Sequence, residues 1–267
     1  MPVPPLQEPW APVHADARSR AAFLRCCRID GSVLRGVATF LLCACAGSAD
    51  AQLSGTLSAV SDYRYRGVTF SDKRPAAQAG LAYDDPTGWY AGAFGSTVRL
   101  EPLGLPDSNL QGIVYGGYAM RLSSGISLEA GGVYSAFAGS SGINYGEVFV
   151  GGGIENVSAR IYFSPHYFGQ PTHAAYGEVN ATQPLSESVS LHLHAGLLRY
   201  RYDNPYGALY GIEPFRNVID GRIGLRADLD MVQLEVAWVG VSNHAAAFLV
   251  TGRYSPNGVV ASLSISF

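Results

Sequence analysis

Apolar side chains recur at every second position along most of the chain after residue 52, which is the period of a β-strand. The closing segment shows this most clearly, because its odd positions are Val259, Ala261, Leu263, Ile265 and Phe267. Similar stretches of about ten residues recur along the chain, and turn residues separate them. The pattern predicts many antiparallel strands, each with one apolar and one polar face.

The first of these strands is expected to be long. Leu53, Leu57, Ala59, Tyr63 and Tyr65 alternate with polar residues, among them Asp62, Arg64 and Arg66. If one strand continues through all of them, the two tyrosines lie on its apolar face. The three charged side chains then lie together on the opposite face.

Alternation alone does not decide whether water or lipid covers the apolar face. Lysine occurs once after residue 52, at Lys73, and the chain contains 32 glycines and only 15% charged residues. Aromatic residues gather near the predicted strand ends: Tyr63, Tyr65, Tyr83, Trp89, Tyr90, Tyr118, Tyr134, Tyr145, Phe163, Tyr200, Tyr202, Trp238 and Phe267. Aromatic girdles at two interfaces are typical of a membrane barrel.

Tight and loose connections alternate between these strands. Tight turns are predicted near residues 84–88, 123–125, 155–156, 184–188 and 228–230, and longer connections near 67–74, 99–109, 138–143, 164–173, 203–215 and from 242 onward. Short periplasmic turns and longer outer loops give this rhythm in outer-membrane barrels. The sequence therefore predicts an all-β fold, a transmembrane antiparallel up-and-down β-barrel.

The number of strands is predicted to be twelve, within a range of ten to fourteen. A barrel with both termini in the periplasm needs an even number of strands. For that reason residues 248–254 are assigned to an outer loop, 242–258, and not to a separate strand. The terminal Phe267 on an alternating strand is the expected signal for the barrel-assembly machinery.

Residues 1–51 differ from the rest and predict a signal peptide. A basic region precedes a short apolar run at residues 36–46, and Ala49-Asp50-Ala51 offers a small-x-small site, so cleavage is expected after Ala51. The barrel then comprises residues 52–267, and the bacterial outer membrane is the expected location. All four cysteines lie before residue 46, and an alternative is that Cys45 is a lipoprotein acylation site.

Composition after the leader excludes several classes of function. The leader holds five of the 18 basic and four of the 21 acidic residues, which leaves 13 basic and 17 acidic residues. No basic cluster suits nucleic acid. The paired glycines lack the helix and the lysine of a phosphate-binding loop, so no cofactor is expected.

Charged residues on the polar faces are expected to point into the lumen, because Arg facing lipid at midplane costs about 2 to 4 kcal/mol. The candidates are Asp62, Arg64, Arg66, Glu129, Glu147, Arg160, Glu178, Asp220, Arg222, Arg226 and Glu235. One interpretation is a constriction that sets ion preference. The other is a lattice of salt bridges that only fills a narrow lumen.

Histidines 166, 173, 192, 194 and 244 carry the remaining candidate chemistry. His192 and His194 share a strand face without a carboxylate on that strand, so polar lining is preferred over a metal site. Ser190 beside His192 is similar to the serine and histidine of an outer-membrane phospholipase. Both residues are predicted to face the lumen and not a lipid substrate, so no enzymatic activity is expected.

The opening of the predicted barrel resembles a known family. Ser61-Asp62-Tyr63-Arg64-Tyr65-Arg66-Gly67, followed by Pro75-Ala76-Ala77-Gln78 and by Gly88-Trp89-Tyr90-Ala91-Gly92 with Ser96, is similar to the TorF-like family of proteobacterial outer-membrane porins. Glu147 after Tyr145 and the terminal Phe267 also match. The detailed likeness covers about residues 55–98, and it implies a small outer-membrane barrel.

Two classes of function follow from these predictions. The first is a porin, with passive diffusion of small polar solutes or ions through a narrow lumen of mixed charge. The second is a non-conducting structural barrel, whose outer loops at 99–109 and 203–215 face partners. An outer-membrane hydrolase is a minor alternative. The expected partners are outer-membrane lipid, lipopolysaccharide, the barrel-assembly machinery and the small solutes.

Overall fold

The computed structural model describes residues 52–100, 108–201, 215–242 and 257–267. In chain order the strands are β1 (Gln52–Val60), β2 (Arg64–Tyr65), β3 (Val68–Thr69), β4 (Ala76–Asp84), β5 (Trp89–Thr97), β6 (Leu110–Arg121), β7 (Ser127–Ala138), β8 (Tyr145–Ile154), β9 (Val157–Ser164), β10 (Ala174–Pro184), β11 (Val189–Arg201), β12 (Phe215–Leu229), β13 (Val232–Val241) and β14 (Gly258–Ser266). Short 3-10 helices occur at Ser141–Ile143 and Tyr167–Gly169. No helix among these residues has the length and apolarity to cross a membrane.

Twelve of the strands form one closed antiparallel barrel, which confirms the predicted fold class and strand number. Strands β4 to β13 each pair with the next strand along the chain. Strand β1 pairs with both β4 and β14 and so closes the barrel. The closing register places Thr56 opposite Ser266 and Val60 opposite Ser262. Closure leaves the barrel without a free edge, as a bilayer requires.

Connections at the two ends of the barrel differ in length, as the sequence predicts. At one end the turns are short, for example Glu155-Asn156 between β8 and β9, and both termini of the barrel lie there. Longer connections join the strands at the other end. Outer-membrane barrels place short turns in the periplasm, so the end with the termini is the periplasmic end. The proposed loop segment 248–254, together with Tyr202 and His244, lies outside the described residues.

The outer surface of the barrel is apolar, and its exposed side chains follow the predicted phase. On β14, Val259 is 68% exposed whereas Val260 is 6% exposed. Large apolar side chains such as Val148 and Ile161 are also exposed on this face. An apolar surface of this kind around a whole barrel suits hydrocarbon and not water.

Part of the predicted aromatic girdle is wrong. Seven residues do lie exposed near the ends of the wall: Tyr83, Trp89, Tyr118 and Phe267 in the periplasmic half and Tyr134, Phe163 and Trp238 in the outer half. Five others are buried inside the barrel: Tyr63, Tyr65, Tyr90, Tyr145 and Tyr200. Tyr90, Tyr145 and Tyr200 occupy the inward phase of their strands, where their rings fill the lumen.

The predicted first strand is also too long. Strand β1 ends at Val60, and residues 61–75, here called the plug, leave the wall and fold into the lumen. Within the plug, β2 and β3 form a separate two-stranded hairpin. Its turn consists of Arg66 and Gly67, both with positive φ (49° and 79°). The alternation continued past Val60 because a hairpin strand has the same period of two, although it contacts different surroundings.

Glycines on the lumen side make room for the inward rings. A β-carbon added at Gly117 would lie 2.6 Å from the carbonyl oxygen of Ala130 and 2.7 Å from the hydroxyl of Tyr90. That hydroxyl donates a 2.9 Å hydrogen bond to Glu129. Glycine at this position therefore allows a tyrosine to lie flat against the wall of a narrow barrel.

We expect Gly117→Ala to destabilise the barrel, because the added methyl group has to displace backbone or break the contact between Tyr90 and Glu129. Overpacking of this kind costs about 1 to 3 kcal/mol. The free energy of unfolding in urea, measured with the protein in lipid vesicles, tests this. Gly112→Ala on the same strand is the control, since a β-carbon there meets nothing within 4 Å. Equal stability of the two variants would contradict the packing argument.

Candidate functional site

The plug is joined to one side of the lumen by an aromatic cluster. Phe70 of the plug lies 6.2 Å, between ring centroids, from both Phe137 of β7 and Phe168 of the β9–β10 connection. Tyr63 of the plug contacts Phe94 of β5 at 6.0 Å. Ring pairs at these distances stabilise packing beyond the area that they bury. The cluster therefore fastens the plug to the wall formed by β5 to β8.

Asp62 organises the plug internally. Its carboxylate forms an ion pair with Arg64 at 2.8 Å and accepts a 2.5 Å hydrogen bond from the hydroxyl of Thr69. The backbone N–H of Tyr63 donates to Ser71 Oγ at 2.8 Å, and that of Phe70 donates to the carbonyl of Tyr63 at 2.7 Å. These bonds hold the two arms of the hairpin together, so the plug is one compact unit.

Arg66, at the tip of the hairpin, contacts β8 to β10 and the connection between β9 and β10. Its Nη2 donates to Glu147 Oε2 at 2.7 Å and its Nη1 donates to the hydroxyl of Tyr167 at 3.0 Å. The guanidinium carbon lies 4.1 Å from the centroid of the Tyr176 ring and 5.4 Å from that of Tyr162. A guanidinium over aromatic faces in a dry site gains cation–π energy as well as the ion pair. Arg66 therefore attaches the tip of the hairpin to the barrel through an ion pair, a hydrogen bond and cation–π contacts.

The ionisation of this group is fixed by its surroundings. Burial by itself would lower the pKa of Arg66, but the Glu147 carboxylate and the nearby tyrosines raise it well above its ordinary value. Burial raises the pKa of Tyr167 to about 12. The guanidinium therefore stays charged and the phenol stays a neutral hydrogen-bonding group through the physiological pH range.

The plug also contacts the opposite side of the barrel. A β-carbon added at Gly67 would lie 2.8 Å from Asp220 Cβ of β12 and 3.0 Å from Val241 Cβ of β13, and one added at Gly258 would lie 2.6 Å from Arg64 Nη2. Together with the contacts to β5 to β10, these close approaches take the plug from one wall to the other. In the described part of the barrel, the plug crosses the lumen.

Below the plug, the charged side chains of the strands form buried groups. Arg160 of β9 forms an ion pair with Glu129 of β7 and donates to the hydroxyl of Tyr162 at 3.2 Å. That hydroxyl donates in turn to Glu178 of β10 at 3.4 Å. The residues of this group come from three strands of the wall, β7, β9 and β10.

A second group lies on β11 to β13. The Glu235 carboxylate accepts a hydrogen bond from Arg222 Nε at 3.1 Å and one from Arg226 Nη2 at 3.1 Å. Two guanidinium groups share this one carboxylate, so the three side chains carry one net positive charge. His194 Nε2 lies 2.9 Å from Asp220 Oδ1, and its Nδ1 lies 2.8 Å from Asn180 Oδ1.

A cavity of about 150 Å³ lies between this second group and the plug. On β1, β4, β13 and β14 its lining includes apolar residues and a set of hydroxyl and amide side chains: Thr56, Ser58, Gln78, Gln233, Ser262 and Ser264. Ser58 donates to Ser264 at 2.8 Å across the closing seam of the barrel. The cavity is lined by groups that can hydrogen-bond to a small polar molecule.

The structure places every charged candidate inside the barrel, although not in one ring. Asp62, Arg64 and Arg66 belong to the plug, whereas the remaining eight project from the strands. Sequence patterns missed the aromatic residues that hold the plug: Tyr63, Tyr65, Phe70, Tyr145, Tyr167, Phe168 and Tyr176. The sequence feature that indicates the plug is the alternation of Tyr and Arg before Gly67. It suits a hairpin folded into the lumen better than a lipid-facing strand.

The histidines form no metal centre in the described part of the chain, where no three His, Cys, Asp or Glu side chains are grouped to hold an ion. His192 Nε2 lies 2.9 Å from Ser190 Oγ. Its Nδ1 lies 3.4 Å from the hydroxyl of Thr182, where a hydrolytic triad would have a carboxylate. The pair lies on the inward phase of β11, as the sequence predicts.

Comparisons with known proteins agree with the fold. The chain is similar to a structure of the KdgM porin (10% identity, TM-score 0.47, 80% of this chain and 98% of that one) and to one of the NanC porin (12% identity, TM-score 0.48, 81% and 99%). It is also similar to LpxR from Salmonella typhimurium (10% identity, TM-score 0.38, 80% and 99%). No curated protein matches the sequence.

A family model matches residues 44–267, and therefore the whole described barrel. It does not carry the TorF-like name that the opening segment suggests. Its description is a bacterial protein of unknown function, Gcw_chp. With most of its length matched, the chain belongs to the Gcw_chp family of bacterial proteins, and it has an outer-membrane β-barrel fold similar to that of porins.

Proposed function

We propose that this protein is a gated porin of the outer membrane, in which the plug decides whether small polar solutes or ions pass through the lumen. The observation that carries the proposal is the plug itself, which crosses the lumen above a polar cavity. In this proposal the seated plug is the closed state of the pathway. Displacement of residues 61–75 joins the cavity to the outside.

The construction of the plug supports a movable element. The plug is no part of the closed barrel, because β2 and β3 pair only with each other. It contacts β8 through the Arg66 side chain and approaches β12 with its backbone at Gly67, and one backbone hydrogen bond, from the N–H of Arg99 to the carbonyl of Phe70 at 2.7 Å, joins it to the segment after β5. Moving it leaves the hydrogen bonds between barrel strands intact, so the barrel stays folded while the plug changes position.

The lining of the cavity favours small hydroxylated solutes. Hydroxyl and amide groups lie on one side, and charges of both signs lie around the rest: Arg64, Arg66, Arg222 and Arg226 against Asp62, Glu147, Glu178, Asp220 and Glu235. Positive charge is in local excess only around Glu235, where two guanidinium groups share one carboxylate, and charge of one sign in a narrow lumen favours ions of the other sign.

A closed structural barrel is the competing function, and the paired buried charges favour it. Ion pairs and aromatic rings hold the plug on several sides, as expected of a permanent seal. Conductance measurements on plug variants separate the two functions, because a permanent seal gives no openings when its contacts are weakened and the barrel stays folded.

We expect Arg66→Ala to increase the open probability in planar bilayers. Removing Arg66 leaves Glu147 buried without its guanidinium, and a broken buried ion pair costs about 3 to 5 kcal/mol, which at the lower figure shifts a two-state equilibrium by about a hundredfold. In the open form water solvates the Glu147 carboxylate. The substitution therefore destabilises the closed form and not the open form. Lys73→Ala, on the exposed side of the same plug, is the control. A folded Arg66→Ala barrel without openings would favour the structural function.

A disulfide can test whether the plug is the gate. Residues 52–267 contain no cysteine, and a β-carbon at Gly67 lies 3.0 Å from Val241 Cβ, close to disulfide geometry after a small adjustment. In an Arg66→Ala background, we expect Gly67→Cys with Val241→Cys to close the channel on oxidation and to reopen it on reduction. The single cysteine variants are the controls. Current that is insensitive to the oxidised pair would place the pathway elsewhere.

Ion preference tests the role of the second charged group. In the Arg66→Ala background, we expect Arg226→Gln to shift the reversal potential in a salt gradient toward cation preference, because the net positive charge around Glu235 disappears. Arg199→Gln on the outward face of β11 removes the same charge outside the lumen and serves as the control. Identical shifts in the two variants would show that surface charge, and not the lumen, sets the preference.

A further inference from the structure

The two ends of the barrel differ in charge. Among the described residues, the outer end carries Lys73, Arg74, Arg99, Arg199 and Arg201 against one acidic residue, Asp72. The periplasmic end carries Asp84, Asp85, Glu155, Glu187, Asp228 and Asp230 against one basic residue, Arg121. An outer rim of this kind attracts anionic groups at the outer surface of the membrane.

Two of these basic residues lie on the lipid-facing side of the wall. Arg199 and Arg201 are exposed on β11, whereas Leu198 and Tyr200, which alternate with them, are buried inside. Leu197, one step deeper on the same outward face, is 47% exposed. The two guanidinium groups therefore lie at the outer edge of the apolar wall, at the level of the lipid headgroups.

Neighbouring strands complete a patch around these arginines. The N–H of Arg201 donates to the carbonyl of His173 at 3.0 Å, and the His173 ring stacks on Phe163 with centroids 6.2 Å apart and 10° between planes. Ala175 lies between Arg199 and Phe163 in the strand register. We call these five residues, Phe163, His173, Ala175, Arg199 and Arg201, the outer patch.

A short groove adjoins the outer patch on the lipid-facing side of the wall. The first two outward positions of β10 are the small residues Ala175 and Gly177, and a β-carbon added at Gly177 meets nothing within 4 Å. The next outward residue, Val179, is large and exposed, and it ends the groove. Gly177 lies between Ile161 of β9 and Leu197 of β11, both large and exposed. The apolar sides of this groove suit a segment of a hydrocarbon chain.

We propose that the outer patch and the groove bind one phosphorylated, acylated lipid of the outer leaflet, of the lipopolysaccharide class. A phosphate group accepts hydrogen bonds from Arg199 and Arg201, whose guanidinium groups suit phosphate oxygens. An acyl chain of the same molecule lies along Ala175 and Gly177, between Ile161 and Leu197. This site is separate from the lumen, so it does not depend on whether the protein conducts.

Titration of the detergent-solubilised protein with purified lipid A, followed by native mass spectrometry, tests the headgroup contacts. We expect Arg199→Gln with Arg201→Gln to weaken binding roughly 30-fold, at the usual contribution of a basic side chain near anionic lipid. The matching double substitution to Lys keeps the charge and retains most of the affinity. Arg121→Gln, at the other end of the barrel, leaves it unchanged. Wild-type affinity in the double Gln variant would overturn the proposal.

The groove has its own test. We expect Gly177→Leu to weaken lipid A binding, because its side chain fills the groove while its β-carbon meets nothing within 4 Å, and Gly112→Leu, at another open outward glycine, to leave it unchanged. Equal affinities for these two variants would overturn the placement of the acyl chain. Inorganic phosphate should not compete at millimolar concentration, and lipid A without its phosphates should lose its dependence on the two arginines. Competition by free phosphate would show a simple anion site in place of a lipid site.

Discussion

The structure depends above all on backbone hydrogen bonding in a medium without water. A strand in hydrocarbon has to pair on both sides, and a sheet achieves this only by closing on itself. Here β1 pairs with β14, and the hydrogen bonds between Gly55 and Phe267 extend that seam to the last residue. The even strand number, the common side of the two termini and the alternation of faces all follow from this closure.

Closure of twelve strands leaves a narrow interior, and the inward side chains have to fill it or line it. On one side, rings such as Tyr90 and Phe149 lie against glycines and leave little free space. On the other side, small hydroxyl side chains of β1 and β14 leave a cavity. Buried charges are tolerated between these regions because each group contains opposite charges and hydrogen-bond donors. The plug lies across the outer part of the same space.

Plug and wall divide the molecule into two functional surfaces. Inside, the seated plug is held by Arg66 through contacts that a change in position can break without opening the barrel. Outside, the apolar wall ends at a rim that is basic over its described residues and begins at a rim that is acidic over its described residues. We propose that the first surface serves solutes and that the second binds lipid. The strands of the wall separate the two.

Sequence alone determined the barrel, because the period of two and the apolar phase of each strand are local properties, and the even strand number follows once every strand has to pair on both sides. It placed Val259 and Leu263 toward lipid, and it placed Glu129 and Arg160 inside. Only the tertiary structure decided where the first strand ends. A hairpin arm and a barrel strand alternate with the same period, so the sequence around Tyr63 and Arg66 fits both. The choice depends on contacts with β5 to β13, which are distant in sequence and come together only when the barrel closes.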